Sequence, residues 1–144
     1  MTNEEFMAKV ELGELVDTFA SAGDSKDLET MVSCFADDGD IVVYDAKGKE
    51  FAHYAGIDEI RKGYRDLLGQ YSTLYHHNGQ KMFTINGDTA TGKVYCQEFL
   101  VSMYKSGVGS ILDQGTVYED TYVKVDGKWL IKDRKGYVKW VDDK

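Results

Sequence analysis

Proline is missing altogether from this 144-residue chain, and its fifteen glycines are scattered. Without a Pro-rich or Gly-rich stretch there is no linker, repeat or low-complexity tract, so one domain over residues 1–144 is expected. Basic residues are scarce, 17 against 25 acidic ones, which leaves a formal charge of −8 and a pI near 4.8. Binding that depends on neutralising phosphates needs clustered Lys and Arg, so nucleic acid is excluded as a partner. No run approaches the roughly 18 consecutive apolar residues of a membrane span, and the acidic beginning "MTNEEFMAKVE" fits neither a signal peptide nor a transit peptide. A cytoplasmic protein with no membrane partner is expected. The two cysteines, Cys34 and Cys96, stand in apolar surroundings without CxxC or Cys/His spacing, and read as reduced core thiols. With only three histidines and no HExxH or facial-triad pattern, no metal site is expected. GxGxxG, P-loop and GxSxG motifs are also missing, so no cofactor is expected.

What is present is an ordinary globular composition, 42% hydrophobic and 29% charged, with no sign of disorder. Thr2 and Glu5 form a capping-box pattern, and Phe6, Val10, Leu15, Val16 and Phe19 then recur at helical spacing towards an end near Gly23. Asp24 is placed to cap a second, shorter helix with Leu28, Met31, Val32 and Phe35 as its buried stripe. A short strand "DIVVYD" follows. A third helix is predicted from Ile57 or Asp58, with Ile60, Tyr64, Leu67, Leu68 and Tyr71 on one side. Beyond it lie two hairpins, residues 74–85 with 88–104 around "NGD" and 115–125 with 128–140 around "VDGK". Helices first and an antiparallel meander afterwards make an α+β domain.

In "KVYCQEFLVSM" both faces are apolar: Val94, Cys96 and Leu100 on one, Tyr95, Phe99, Val101 and Met103 on the other. Helices can bury one face, so the second is expected to meet another copy in a homodimer. Tyr118, Tyr122 and Trp129 read as core and interface.

The stretch "TLYHHNGQ" holds two adjacent histidines, of which a strand can turn only one inward. With a two-residue Asn86-Gly87 turn, His77 would share the face of Glu98. With a three-residue Ile85-Asn86-Gly87 loop, Thr84 pairs with Asp88, His76 comes opposite Cys96, and Glu98 is a diagonal neighbour.

The order of elements, with "DSKDLETMVSCFADD", "HHNGQKMFTINGDTATGKVY" and "YEDTYVKVDGKWLI", resembles the SnoaL-like family of the nuclear transport factor 2-like fold, close to the branch of scytalone dehydratase and bile-acid 7α-dehydratase. The resemblance implies a cone, a strongly curved, largely antiparallel sheet closed by three N-terminal helices around a pocket for a small apolar or aromatic molecule. In the family's dehydratases an aspartate, a histidine and a polar group meet there, and by motif these fall on Asp24, His76 and Glu98. The resemblance favours His76 as the inward histidine, and with it the three-residue turn. A carboxylate beside an imidazole suits proton abstraction or removal of water. Phe19, Tyr44, Cys96, Leu100 and Arg134 are the expected substrate-binding residues. Arg134 sits where some relatives place a cation at the pocket mouth, and on its own reads as a solvated strand-end arginine. Two departures stand out: Phe19 and Gly23 occupy the candidate positions for the dehydratases' catalytic tyrosine, and Val43 the place of the ketosteroid-isomerase aspartate. The leading expectation is a cofactor-independent lyase or isomerase. The rivals are a noncatalytic binding or assembly module and a small subunit of a larger oxygenase.

Overall fold

A computed structural model describes residues 1–103 and 109–143. Helix α1 (Asn3–Asp24) opens as the capping pattern requires, Thr2 Oγ1 accepting from the Glu5 N–H at 3.1 Å. It buries Ala8, Leu12, Leu15, Val16, Phe19 and Ala22. Phe6 and Val10, expected in that stripe, are exposed; at 100° per residue they lie on the opposite side of the helix, and the apolar spacing alone did not separate the two faces. Helix α2 (Leu28–Ser33) is capped by Asp27, which accepts from the Thr30 N–H and hydroxyl. The expected cap, Asp24, instead ends α1, and its carboxylate is used elsewhere.

Strand β1 (Phe35–Tyr44) starts five residues before the expected one and takes Phe35 from the α2 stripe. It pairs with β2 (Glu50–Ala55), after which α3 (Ile57–Gln70) carries the chain across to the far edge. Gly63 of α3 lies against the Tyr54 ring, a contact that any side chain there would displace. The hairpins are β3 (Thr73–Asn86) with β4 (Thr89–Met103), and β5 (Gly109–Val125) with β6 (Lys128–Asp143). The sheet order is β2-β1-β6-β5-β4-β3, antiparallel except where β1 runs parallel to β6. That one parallel pairing, absent from a simple meander, closes the sheet over the helices. The result is an α+β cone, a curved six-stranded sheet whose inner face packs Leu74, Val94, Leu100, Tyr122 and Ile131 with α1.

The "NGD" turn is neither of the expected forms. Asn86 pairs with Thr89, leaving a Gly87-Asp88 loop with Gly87 at φ 61°. Carried straight along, that register would set His77 opposite Glu98. Between Asn78 and Lys81, however, Gly79 and Gln80 together oppose Tyr95, and this bulge advances β3 by one residue. Below it His76 pairs directly with Glu98, rather than with Cys96 as the three-residue turn required.

Both cysteines are free and buried, and burial pushes the Cys34 thiol up to about 11. On the outer sheet surface His53 Nε2 lies 2.7 Å from Asp40 Oδ1. That bond is the main cause that raises the His53 pKa above 6.5. Because the folded value is the higher one, the pair's contribution is complete below the unfolded pKa and is lost as pH rises through the folded one. The melting temperature of His53→Gln is therefore expected to fall below that of the native chain at pH values under the ordinary histidine pKa of about 6.5, with the gap closing as the pH rises past the raised folded value. A gap that is independent of pH would refute the assignment. No helix among the described residues is long and apolar enough to cross a membrane.

Candidate functional site

Between α1, α3, β2 and the inner sheet face lies a cavity of about 190 Å³. Phe19, Tyr54, Tyr64, Leu68, Leu100 and Leu112 make most of its apolar wall. Phe19 and Tyr64 meet edge to face at 5.4 Å, and Tyr54 and Tyr64 at 6.0 Å, so ring edges and faces define its shape. Burial raises the Tyr64 phenol well above its ordinary range.

His76 enters this wall from β3, with its side chain 16% exposed. Its Nδ1 is 2.7 Å from Asp24 Oδ1, and its backbone N–H donates to the same carboxylate at 3.0 and 3.1 Å. The end of α1 thus clamps both the ring and the backbone of one residue. A carboxylate facing Nδ1 fixes the proton there, which leaves Nε2 with a lone pair at the edge of the ring turned away from Asp24. His77, its neighbour, is exposed.

Glu98, 5% exposed, stands across the strand pair from His76. Its oxygens accept from the Tyr118 hydroxyl at 2.6 Å and the Gln114 amide at 2.7 Å. These partners come from the inner face of β5, where Gln114, Thr116, Tyr118, Asp120 and Tyr122 follow at every second position. Burial first, and then the Glu98 charge, push the Tyr118 pKa well up.

Deeper still, Arg134 donates through Nε and a terminal nitrogen to both oxygens of Asp120, each at 2.9 Å, and the Tyr122 hydroxyl donates to Asp120 at 2.6 Å. The side chains of Arg134 and Asp120 are 3% and 0% exposed. The guanidinium lies 4.1 Å from the Tyr118 ring centroid and 5.1 Å from that of Phe19. Burial would lower the Arg134 pKa, but the Asp120 carboxylate outweighs it and holds it above its ordinary value.

Of the residues expected from sequence, His76, Glu98, Phe19 and Leu100 line the cavity, with Asp24 directly behind His76. Three are placed otherwise. Arg134 is neither solvated nor at a pocket mouth, because Asp120 sits opposite it on β5 and draws it under the floor. Tyr44 projects from the outer face, stacked on Tyr137 at 5.1 Å, since Val43 is the β1 residue facing the cavity. Cys96 shares the inner face of Glu98 but is covered: Asn78 opposite it ties α1 down through the Val16 carbonyl and Asp17. Sequence reasoning did not pick out Tyr54, Tyr64, Gln114 or Thr116 as lining, nor Tyr118 beyond core and interface. The polar residues at alternate positions of β5 were the available signal. Among the described residues no group of three or more His, Cys, Asp or Glu side chains could hold a metal ion.

The model of the SnoaL-like domain matches residues 4–135. The chain belongs to the SnoaL-like family. That assignment agrees with the α+β cone described above, and a solved protein from Nostoc punctiforme with a cystatin-like fold superposes with a TM-score of 0.69 at 23% identity, covering 90% of each chain. Among curated proteins, an uncharacterized protein of Mycobacterium tuberculosis (strain H37Rv) is 24% identical over 131 residues, which cover 88% of this chain and 82% of that protein. Solved structures share the fold at lower identity. A candidate scytalone dehydratase from Novosphingobium aromaticivorans superposes with a TM-score of 0.80 at 21% identity, covering 100% of this chain and 92% of that one. The β subunit of a candidate aromatic-ring-hydroxylating dioxygenase from the same organism gives 0.80 at 16% identity, covering 97% and 94%. The hexachlorocyclohexane dehydrochlorinase LinA-type3 of Novosphingobium barchaimii gives 0.80 at 13% identity, covering 97% and 92%. This SnoaL-like cone is therefore shared by proteins whose names differ in chemistry.

Proposed function

We propose that this SnoaL-like protein is a cofactor-independent lyase or isomerase, in which His76 takes a proton from carbon in a small, largely apolar substrate. The observation that carries this reading is the 2.7 Å contact of Asp24 with His76 Nδ1 at the wall of an aromatic cavity. Nε2 accepts the proton, and the adjacent carboxylate stabilises the imidazolium that forms. The electron pair of the broken C–H bond becomes a new C=C bond as a leaving group departs, or an enolate that is reprotonated elsewhere. Glu98, Gln114 and Tyr118 lie across from His76 as the polar groups for the oxygen-bearing side of the substrate. The fold neighbours named for a dehydratase and a dehydrochlorinase lend support, since both names imply elimination.

The test is isotopic and needs no knowledge of the natural substrate. In D₂O the protein is expected to speed deuterium entry next to the carbonyl of cyclic ketones, followed by proton NMR. A panel of one-ring and two-ring ketones showing only the buffer rate would overturn the proposal. It would favour the noncatalytic binding module, a reading supported by Phe19 and Val43, which both line the cavity where some relatives carry catalytic groups.

We also propose that the protein works as a homodimer through the outer sheet face, where Tyr75 is 56% exposed and meets Phe99 edge to face at 6.1 Å. Tyr95, Phe99 and Val101 are half-buried there, and the side chain of Met103 lies outside the described residues. Light scattering at micromolar concentration is expected to give about twice 16.2 kDa. A particle of single-chain mass would count against it.

A further inference from the structure

Asp17 stands two turns of α1 before Asp24, on the same side of the helix and about 10 Å away along its axis. Both carboxylates meet β3. Asp24 holds His76. Asp17 holds two residues: one oxygen accepts from the Asn78 side-chain amide at 3.0 Å, and the other from Lys81 Nζ at 2.8 Å. Asn78 and Lys81 are three positions apart, and in a straight strand residues an odd number apart point to opposite faces. They share the inner face, and one carboxylate, because Gly79 and Gln80 bulge between them. The clasp and the bulge therefore require each other.

The bulge needs such a device, because the hydrophobic pattern of this strand fixes its register only weakly. With the bulge straightened and Gln80 kept, His77 would take the place of His76, Tyr75 that of Leu74, and Gly79 that of Asn78. The first exchange sets imidazole for imidazole, and the second one apolar side chain for another. Besides the bonds of His76 to Asp24, what is lost is the grip of Asn78 on Asp17 and on the Val16 carbonyl. Lys81, on the tip side of the bulge, keeps its place in either register. The Asp17 side chain is 52% exposed, so its ion pair adds little to overall stability. Between two arrangements of similar energy, however, a small difference sets the populations.

We infer that Asp17 is a positioning residue: by holding Asn78 and Lys81 together it fixes the bulge, and through the bulge it makes His76 rather than His77 the residue that meets Asp24 and faces the cavity. This rests on the Asp24–His76 pair being the working site, as in the proposed function, but its test needs no turnover.

The test is amide hydrogen exchange, followed by NMR on the whole chain. In Asp17→Ala the His76 amide is expected to exchange roughly five- to tenfold faster, the scale of two lost surface contacts. The amide of Tyr122, on the central strand β5, opens with the fold as a whole and should change by less than about twofold. Lys81→Met removes one arm of the clasp and should speed His76 by about two- to threefold. Deleting Gln80 gives the decisive comparison. Gly79 alone then opposes Tyr95, the strand is straight, and His76 meets Glu98 by residue count with no clasp needed. In that background Asp17→Ala is expected to change His76 exchange by less than about twofold. Deleting Gly79 instead gives the same straight strand, which covers a Gln80 deletion that fails to fold. If neither deletion folds, the contrast between His76 and Tyr122 decides alone. Equal acceleration at the two amides, acceleration that persists in a deletion chain, or no acceleration in Asp17→Ala would overturn the inference. If the contrast is found but cyclic ketones take up no deuterium, Asp17 still sets the register and the proposed chemistry fails. Catalysed uptake without the contrast has the opposite meaning.

Discussion

Asp24→Asn is expected to lower the rate of deuterium exchange by about 10²-fold or more, with the fold intact. The carboxylate serves two donors of one residue, the His76 backbone N–H and ring Nδ1. An asparagine has a single acceptor oxygen. If it stays with the backbone N–H, the amide nitrogen faces Nδ1, and a donor there forces the ring proton onto Nε2. The cavity then meets an N–H where it needs a lone pair. His76→Asn removes the base outright and should lose about 10²–10⁴-fold. Exchange rates followed by NMR, together with melting temperatures, separate the two effects. A fully active Asp24→Asn would show that the carboxylate does not set the tautomer.

Arg134→Met is expected to cost about 3–5 kcal/mol in urea unfolding, because it leaves the Asp120 carboxylate, wholly buried, with only the Tyr122 hydroxyl as partner. For a chain of this size that is a fall in melting temperature of roughly 10 °C or more. The double variant Arg134→Met with Asp120→Asn should recover much of the loss, since the asparagine removes the stranded charge and still accepts from Tyr122. This contrast distinguishes a stranded charge from lost packing against Phe19 and Tyr118. A single variant that costs under about 1 kcal/mol would mean that water reaches Asp120.

These two sites differ in how readable they were. The three helices and both long hairpins could be read from caps, periodicity and turn residues, because each is encoded within a few neighbouring residues, whereas the inward His76 beside Asp24, 52 residues away, came from the motif resemblance. Arg134 could not: fourteen residues separate it from Asp120, and only the β5-β6 register makes the partnership visible. An arginine near a strand end reads as solvated until its opposite number is known. The same holds for Tyr44, sent outward because Val43 takes the inner position, and for the parallel contact of β1 with β6, which depends on chain closure. His76 was placed inward by a route that the structure replaces. The expected three-residue turn does not form, and the bulge at Gly79 and Gln80 supplies the one-residue shift instead. Turn residues are visible in sequence, whereas a bulge within a run of alternating residues leaves little trace.

That bulge gives the tandem histidine a further meaning. A slip of one residue along a strand ordinarily exchanges its inner and outer side chains, so an insertion or deletion near the hairpin tip would replace a cavity group with a surface group. Here the two exchangeable residues are both imidazoles. Straightening the bulge with Gln80 kept would bring His77 opposite Glu98 and turn His76 outward, so the cavity would keep an imidazole while its partnership with Asp24 had to be rebuilt. Residues 76 and 77 thus act as a spare for each other, and the hairpin can change its phase without emptying the site.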